Sequence, residues 1–146
     1  MGAYLALYKN GIRFNAVVGT SIGSFNAAMI AANQAKKLLK FWENIDMTKF
    51  LEIDPVLTTK GIDKETVVAF AKTLKEKLNN NGFNIKPLKD ELSNLLDEKK
   101  LRRSHIDFGL VTLNTETKKP LKVFLKDMPK GTVIDHILAS CYLPVF

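Results

Sequence analysis

Cysteine, histidine and tryptophan are nearly absent from this chain of 146 residues, which holds one Cys, two His and one Trp. The single thiol, Cys141, excludes an intrachain disulfide and fits a reducing compartment; its expected role is helix packing rather than reactivity. Two histidines and one cysteine give no recognised zinc spacing, so no metal and no cofactor are expected. The same scarcity weighs against a Ser-His-Asp triad. His105 and His136 are the available bases, and His136 falls on an expected helix rather than on the loop where a triad base usually sits. No apolar stretch approaches the roughly 20 residues that span a bilayer. The N-terminus lacks the charged, apolar and small-residue order of a secretory signal, so a soluble, cytoplasmic chain is expected. Internal repeats and low-complexity linkers are also missing.

What remains is the composition of a globular domain: 46% hydrophobic and 25% charged residues, enough apolar material for a core. The formal charge of +7 comes from lysines and arginines spread along the chain, among them Lys36, Lys37, Lys40, Lys99, Lys100, Arg102, Arg103, Lys118 and Lys119. Solvated helix faces and a loop account for them, although such a surface also suits peripheral contact with anionic lipid headgroups. No arginine-rich block or interleaved aromatics mark a nucleic-acid surface, and no nucleic-acid partner is expected.

The pattern of apolar residues predicts helices interleaved with strands, the signature of an α/β sheet. Ala3 to Lys9 reads as a helix closed by Asn10-Gly11, and Phe14 to Val18 as a strand. Ile22 to Ala32 reads as a helix whose alanines allow close approach to a sheet. Ala35 to Asn44 reads as another, anchored by Phe41 and Trp42. From Asp63, a plausible N-cap, Val67, Phe70, Ala71, Leu74 and Leu78 recur at helical spacing. Asn79-Asn80-Asn81-Gly82 breaks that helix, and Pro87 opens a further one carrying Leu88, Leu92, Leu95 and Leu96. Residues 60–103 or so are thus expected to form a helical insertion, which either packs on the domain's own core or caps a pocket or membrane surface. Ile106 to Leu113 reads as a strand buried on both faces, Asn114 to Pro120 as a connection, and Leu121 to Lys126 as a strand nearer an edge. Thr132, with Asp135 three residues on, makes a capping-box-like start for a last helix, Val133 to Cys141, ended by Leu143-Pro144.

One segment carries chemistry. Gly19-Thr20-Ser21-Ile22-Gly23 lies between the apolar run Phe14 to Val18 and the alanine-rich run Ser24 to Ala32, the strand-turn-helix setting of a serine nucleophile elbow. On so tight a turn the Ser21 backbone is expected to be strained and its hydroxyl lifted clear. Gly19 and Gly23 are expected to leave room for strand and helix to approach. The helix beginning after Ser21 would aim its unpaired N–H groups, Ile22 foremost, and its positive dipole end at a developing oxyanion. The spacing therefore points to acyl transfer with Ser21 as candidate nucleophile.

The longer run Val17 to Ala28, V-V-G-T-S-I-G-S-F-N-A-A, closely resembles the elbow of patatin-like phospholipases, a family of lipid acyl hydrolases. Gly2-Ala3-Tyr4 through Gly11-Ile12 resembles the helix after the family's oxyanion loop. Asp107-Phe108-Gly109-Leu110-Val111-Thr112 is similar to a later core strand, and Ala139 to Phe146 to the family's A-S-x-x-x-P-x-F segment. The resemblance implies a three-layer α/β fold with a sheet and flanking helices, incomplete at both termini. It implies hydrolysis of a lipid or phospholipid ester through a Ser-Asp dyad, which needs no histidine. The family's G-G-x-[KR]-G oxyanion loop is expected upstream, with Gly2 alone matching it and Met1 standing where a basic residue belongs. The catalytic aspartate of the D-G-G or D-G-A motif is expected beyond Phe146. Asp107, Asp127 and Asp135 lack that setting, so no catalytic aspartate is expected within residues 1–146, and activity of this chain alone is expected to be weak or absent. The alternative reading is a noncatalytic interaction module that binds a partner or itself through incomplete sheet edges.

Overall fold

A computed structural model describes residues 1–45 and 86–141. The helix expected from Asp63, the Asn79–Gly82 break and the Leu143-Pro144 stop lie outside the described residues. Among the described residues three strands, β1 (Ala16–Thr20), β2 (Asp107–Leu113) and β3 (Pro120–Phe124), form one mixed sheet in the order β1-β2-β3. β1 runs parallel to β2, from Ala16 opposite Asp107 to Thr20 opposite Val111, and β3 returns antiparallel with Phe124 opposite Gly109. The helices among these residues are α1 (Gly2–Lys9), α2 (Ile22–Ala31), α3 (Ala35–Asn44), α4 (Lys86–Leu95), α5 (Glu98–Arg102) and α6 (Val133–Cys141).

α1 ends where expected. Gly11 adopts φ +82°, a conformation that favours glycine, and the Ile12 N–H closes on the Leu7 carbonyl at 3.1 Å. The following strand starts at Ala16 rather than Phe14 and runs on to Thr20. Residues 13–15 are held by α1 and β2 instead. Phe14 stacks on Tyr4 with ring centroids 5.9 Å apart, the Arg13 guanidinium sits 4.0 Å above the Tyr8 ring, and the Asn15 carbonyl accepts the Asp107 N–H. Pairing with β2 therefore carries the strand through Gly19 to the residue before Ser21.

α2 is apolar on nearly every side because it is a core helix: Phe25, Ala27, Ala28, Met29 and Ala31 are buried. α3 buries one stripe, Leu38 and Phe41. Phe41 meets Phe25 edge-on at 5.8 Å and Trp42 at 5.3 Å, while the half-buried Trp42 donates its indole N–H to Asn26 Oδ1 at 2.8 Å. Both aromatics anchor the helix, and the tryptophan's polar edge is satisfied. α4, α5 and the link between them pack on the same core through Leu92, Leu101 and Leu96 respectively. Lys37 reaches from α3 to the Asn94 and Leu95 carbonyls at the end of α4, a favourable place for a cation.

β2 is the central strand, with Phe108, Gly109 and Leu110 buried. β3 is an edge among the described residues and stops at Phe124; Leu125 and Lys126, expected to continue it, fall instead in a 3-10 turn, Leu125–Asp127. That turn brings the Leu125, Met128 and Pro129 carbonyls to the Arg102 guanidinium.

The expected capping box of α6 is not formed. Thr132 Oγ1 donates to the Pro129 carbonyl at 2.8 Å, and the Asp135 carboxylate accepts from Lys89 on α4 at 2.6 Å. The α6 N-terminus is served from α5, where Glu98 Oε1 accepts the Gly131 N–H at 2.8 Å and Arg102 Nε at 2.7 Å. Burial pushes the Glu98 carboxyl upward, but the Gly131 N–H, the Arg102 side chain and the Val133 N–H together hold it below its ordinary value. A carboxylate with a depressed folded pKa contributes stability above its unfolded pKa, and that stability is lost as pH falls through the folded value. Glu98→Gln should therefore cost about 1–2 kcal/mol at pH 7, and the difference from the parent should shrink below about pH 4, as measured by urea denaturation at both pH values.

Candidate active site

The two ends of the elbow are forced together by backbone contact. A Cβ placed on Gly19 would overlap the carbonyl of Gly23 and the N of Ser24, so only glycine fits where β1 passes the first turn of α2. Gly23 differs from expectation. Beyond its chain neighbours and the backbone of its own helix, no atom of the described residues lies within 4 Å of a Cβ built on it, so the approach needs its carbonyl close to Gly19 but does not need its lack of a side chain.

Between them the chain reverses from strand to helix at one residue. Ser21 takes φ 53°, ψ −138°, a region L-residues rarely occupy, and its side chain is exposed. Its carbonyl accepts the Ser24 N–H at 2.8 Å and the hydroxyl of the fully buried Ser24 at 2.5 Å. Ile22 and Gly23, the first two residues of α2, have no intrahelical acceptor for their N–H groups by helix geometry. Those donors and the positive end of a ten-residue helix lie beside the exposed Ser21.

α6 closes the other side. The Ser21 N–H donates to Ser140 Oγ at 2.8 Å, and the Ser140 hydroxyl donates to the Val111 carbonyl at 2.6 Å. One residue away, Thr112 Oγ1 donates to the Ala139 carbonyl at 2.8 Å. The end of α6 is thus fastened to the C-terminal end of β2, beside the elbow. Cys141 follows Ser140, and its half-buried thiol lies against the Ser21 hydroxyl. Burial pushes the thiol pKa up, and the Ser21 contact opposes that shift without cancelling it.

Among the remaining residues singled out in the sequence, Gly2 begins α1, is exposed, and makes no hydrogen bond to the elbow among the described residues. Asp107 pairs with Ala16, whereas Ser21 lies one residue beyond the Thr20–Val111 pair, so Asp107 stands about 13 Å along the strands from that pair, at 3.3 Å per residue, and farther still from Ser21. Asp135 is engaged by Lys89, and Asp127 is exposed on the 3-10 turn. His136 Nδ1 lies 2.8 Å from the Thr132 carbonyl of its own helix, and His105 is exposed after α5. An open cavity of about 620 Å³, lined by Ser104, Ile106, Asp107, Phe124, Lys126 and Lys130 among others, lies at the N-terminal end of β2, opposite the elbow. Among the described residues no cluster of His, Cys, Asp and Glu could hold a metal ion, and no helix is long and apolar enough to cross a membrane. Ser140 was visible in sequence only as part of the A-S-x-x-x-P-x-F resemblance, and Cys141 otherwise only as a lone thiol expected to pack its helix. Nothing local indicates that they meet a residue about 120 positions earlier.

A family model described as Patatin-like phospholipase matches residues 1–146. No curated protein and no solved structure matches the chain.

The asymmetry of the two glycines is measurable. Gly19→Ala should lower stability by about 3 kcal/mol or more, because the obstacle is backbone that cannot move aside. Gly23→Ala should be neutral or stabilising by up to about 1 kcal/mol, since alanine is the better helix residue. Chemical denaturation of both variants checks the pair. With its thiol pKa pushed up by burial, Cys141 should react more slowly with disulfide reagents at pH 7.5 than a free cysteine does. Ser21→Ala, which removes the contact opposing that rise, should slow it further, as read from the pH dependence of the modification rate.

Proposed function

Because the chain belongs to the patatin-like phospholipase family, a family of lipid acyl hydrolases, we propose that Ser21 is the nucleophile of a lipid ester hydrolase that works through a Ser-Asp dyad. The observation carrying this reading is the Ser21 backbone, φ 53° and ψ −138°, with an exposed side chain at the N-terminus of α2. Such strain is seldom retained without function. In the proposed reaction Ser21 Oγ attacks the ester carbonyl carbon and gives up its proton to the aspartate. The tetrahedral intermediate collapses by expelling the alcohol, which takes that proton, and leaves an acyl-serine that water then hydrolyses. The N–H groups of Ile22 and Gly23 support the idea of an oxyanion site, where each well-placed donor is worth about 2.7–4 kcal/mol. Gly19 serves by holding strand and helix together, and Gly2 belongs to the proposed oxyanion loop. No described carboxylate is assigned the role of the aspartate, and no metal or cofactor is assigned to the reaction.

The substrate class proposed is a lipid or phospholipid ester, met by a cytoplasmic protein in peripheral contact with the membrane. The net charge of +7 supports such contact, because each basic residue near an anionic leaflet contributes about 1 kcal/mol. One observation favours a second reading, a noncatalytic module that associates through its sheet. Val18 is 70% exposed and Phe124 45% exposed, on either side of Gly109 on one sheet face, and β1 and β3 are edge strands among the described residues.

Intact-mass labelling with a fluorophosphonate, beside a Ser21→Ala control, separates the readings. One probe adduct per chain, absent from the control, is the outcome expected of an activated serine. A demonstrably folded chain that takes no label would contradict nucleophilic activation within residues 1–146. Concentration-dependent sedimentation of that same chain would then support the module.

A further inference from the structure

A turn as strained as the one at Ser21 relaxes unless something outside it fixes the peptide planes on both sides. The carbonyl side is fixed locally, since the Ser21 carbonyl accepts from the N–H and the hydroxyl of Ser24. The amide side has no local acceptor. The group that meets the Ser21 N–H is Ser140 Oγ at 2.8 Å, 119 residues away in sequence. The Ser140 hydroxyl proton is committed to the Val111 carbonyl at 2.6 Å, so its oxygen lone pairs face the Ser21 amide. Val111 pairs with Thr20, the residue just before Ser21. The hydroxyl therefore links the elbow to the strand beside it in a closed path: Thr20, Ser21, Ser140, Val111.

We infer that Ser140 is a positioning residue for the Ser21 nucleophile. By accepting the Ser21 N–H it fixes the Thr20–Ser21 peptide plane, and hence φ of Ser21 and the direction of its Oγ. It also removes that N–H from the donors facing an incoming ester, leaving the helix N-terminal groups of Ile22 and Gly23 for the oxyanion. The inference rests on the reading of Ser21 as nucleophile for its catalytic consequence, but the hydrogen bond itself can be tested without any activity.

The test uses the parent chain, Ser140→Ala, Ser140→Thr, and Thr112→Ala, the last removing the neighbouring fastening of α6 to β2 without touching Ser21. Two quantities are read: hydrogen-exchange protection of the Ser21 amide by NMR, and the rate of fluorophosphonate capture resolved into its saturation constant and its maximal rate. Ser140→Ala should lower Ser21 amide protection by about tenfold and the maximal capture rate by a similar factor, with the saturation constant little changed. Ser140→Thr, which keeps the hydroxyl, should restore both, and Thr112→Ala should leave both within about twofold of the parent. If Ser140→Ala does not fold, Ser140→Cys, nearly isosteric with a weak acceptor, should show the same loss in milder form. Unchanged amide protection in Ser140→Ala, or an equal loss in Thr112→Ala, would overturn the inference. A parent chain that takes no label would instead count against the nucleophile reading, and the amide measurement alone would then decide whether Ser140 holds the turn.

Discussion

The close passage of β1 over the first turn of α2, glycine Cα against the Gly23 carbonyl, is the constraint on which the site depends. Strand and helix must be joined at that separation by a single residue, and an ordinary backbone cannot reverse in so little chain. Ser21 consequently sits in a conformation that costs on the order of 1–3 kcal/mol. The cost is offset where the elements pack, because Phe25, Ala28 and Met29 on α2 are completely buried, together with Phe108 and Leu110 on β2. Burial of one such large side chain contributes about 1.5–3 kcal/mol, so the core can hold the turn without loss of the fold. An exposed side chain, two N–H groups with no intrahelical acceptor and a helix dipole then follow from backbone geometry rather than from separate features of the sequence.

β2 distributes this constraint. Its C-terminal half holds the elbow on one side through Thr20 and Val111, and α6 on the other through Val111 and Thr112. At the far end, Glu98 and Arg102 tie α5 to the loop that precedes α6, so α6 is fixed at both termini by partners remote in sequence. The helix that presents Ser140 and Cys141 to Ser21 is therefore placed by two independent sets of hydrogen bonds, while Val133, Ile137 and Leu138 bury its apolar face. Ser21 lies at the C-terminal end of a parallel strand, where α/β sheets usually bind their ligands.

The parts legible in sequence were those governed by local rules. The elbow, α3 and the span of α6 follow from glycine spacing and helical periodicity, and the structure has them at Ser21, Ala35–Asn44 and Val133–Cys141. What was misread depends on partners far along the chain. The apolar run from Phe14 suggested a strand two residues early because Phe14 is apolar for a different reason, its stacking on Tyr4. Thr132 and Asp135 had the spacing of a capping box, yet the Pro129 carbonyl takes the Thr132 hydroxyl and Lys89, on α4, takes the Asp135 carboxylate. Gly23 looked equivalent to Gly19 in the motif, but of the two only Gly19 would press a Cβ onto the backbone of another described element. Ser140 gave no local sign of its partner because a hydroxyl's acceptor geometry appears only once the sheet is assembled.

The central claim, that assembly of the fold strains the chain at Ser21, is tested most directly by the stability of Ser21→Gly in equilibrium urea denaturation. Glycine enters the observed conformation freely and keeps the N–H bonded to Ser140, so relief of strain should exceed glycine's greater entropy in the unfolded chain. The account predicts a variant more stable than the parent by about 1 kcal/mol. A variant less stable by about 0.5–1 kcal/mol, the usual consequence of placing glycine in an unstrained position, would contradict it.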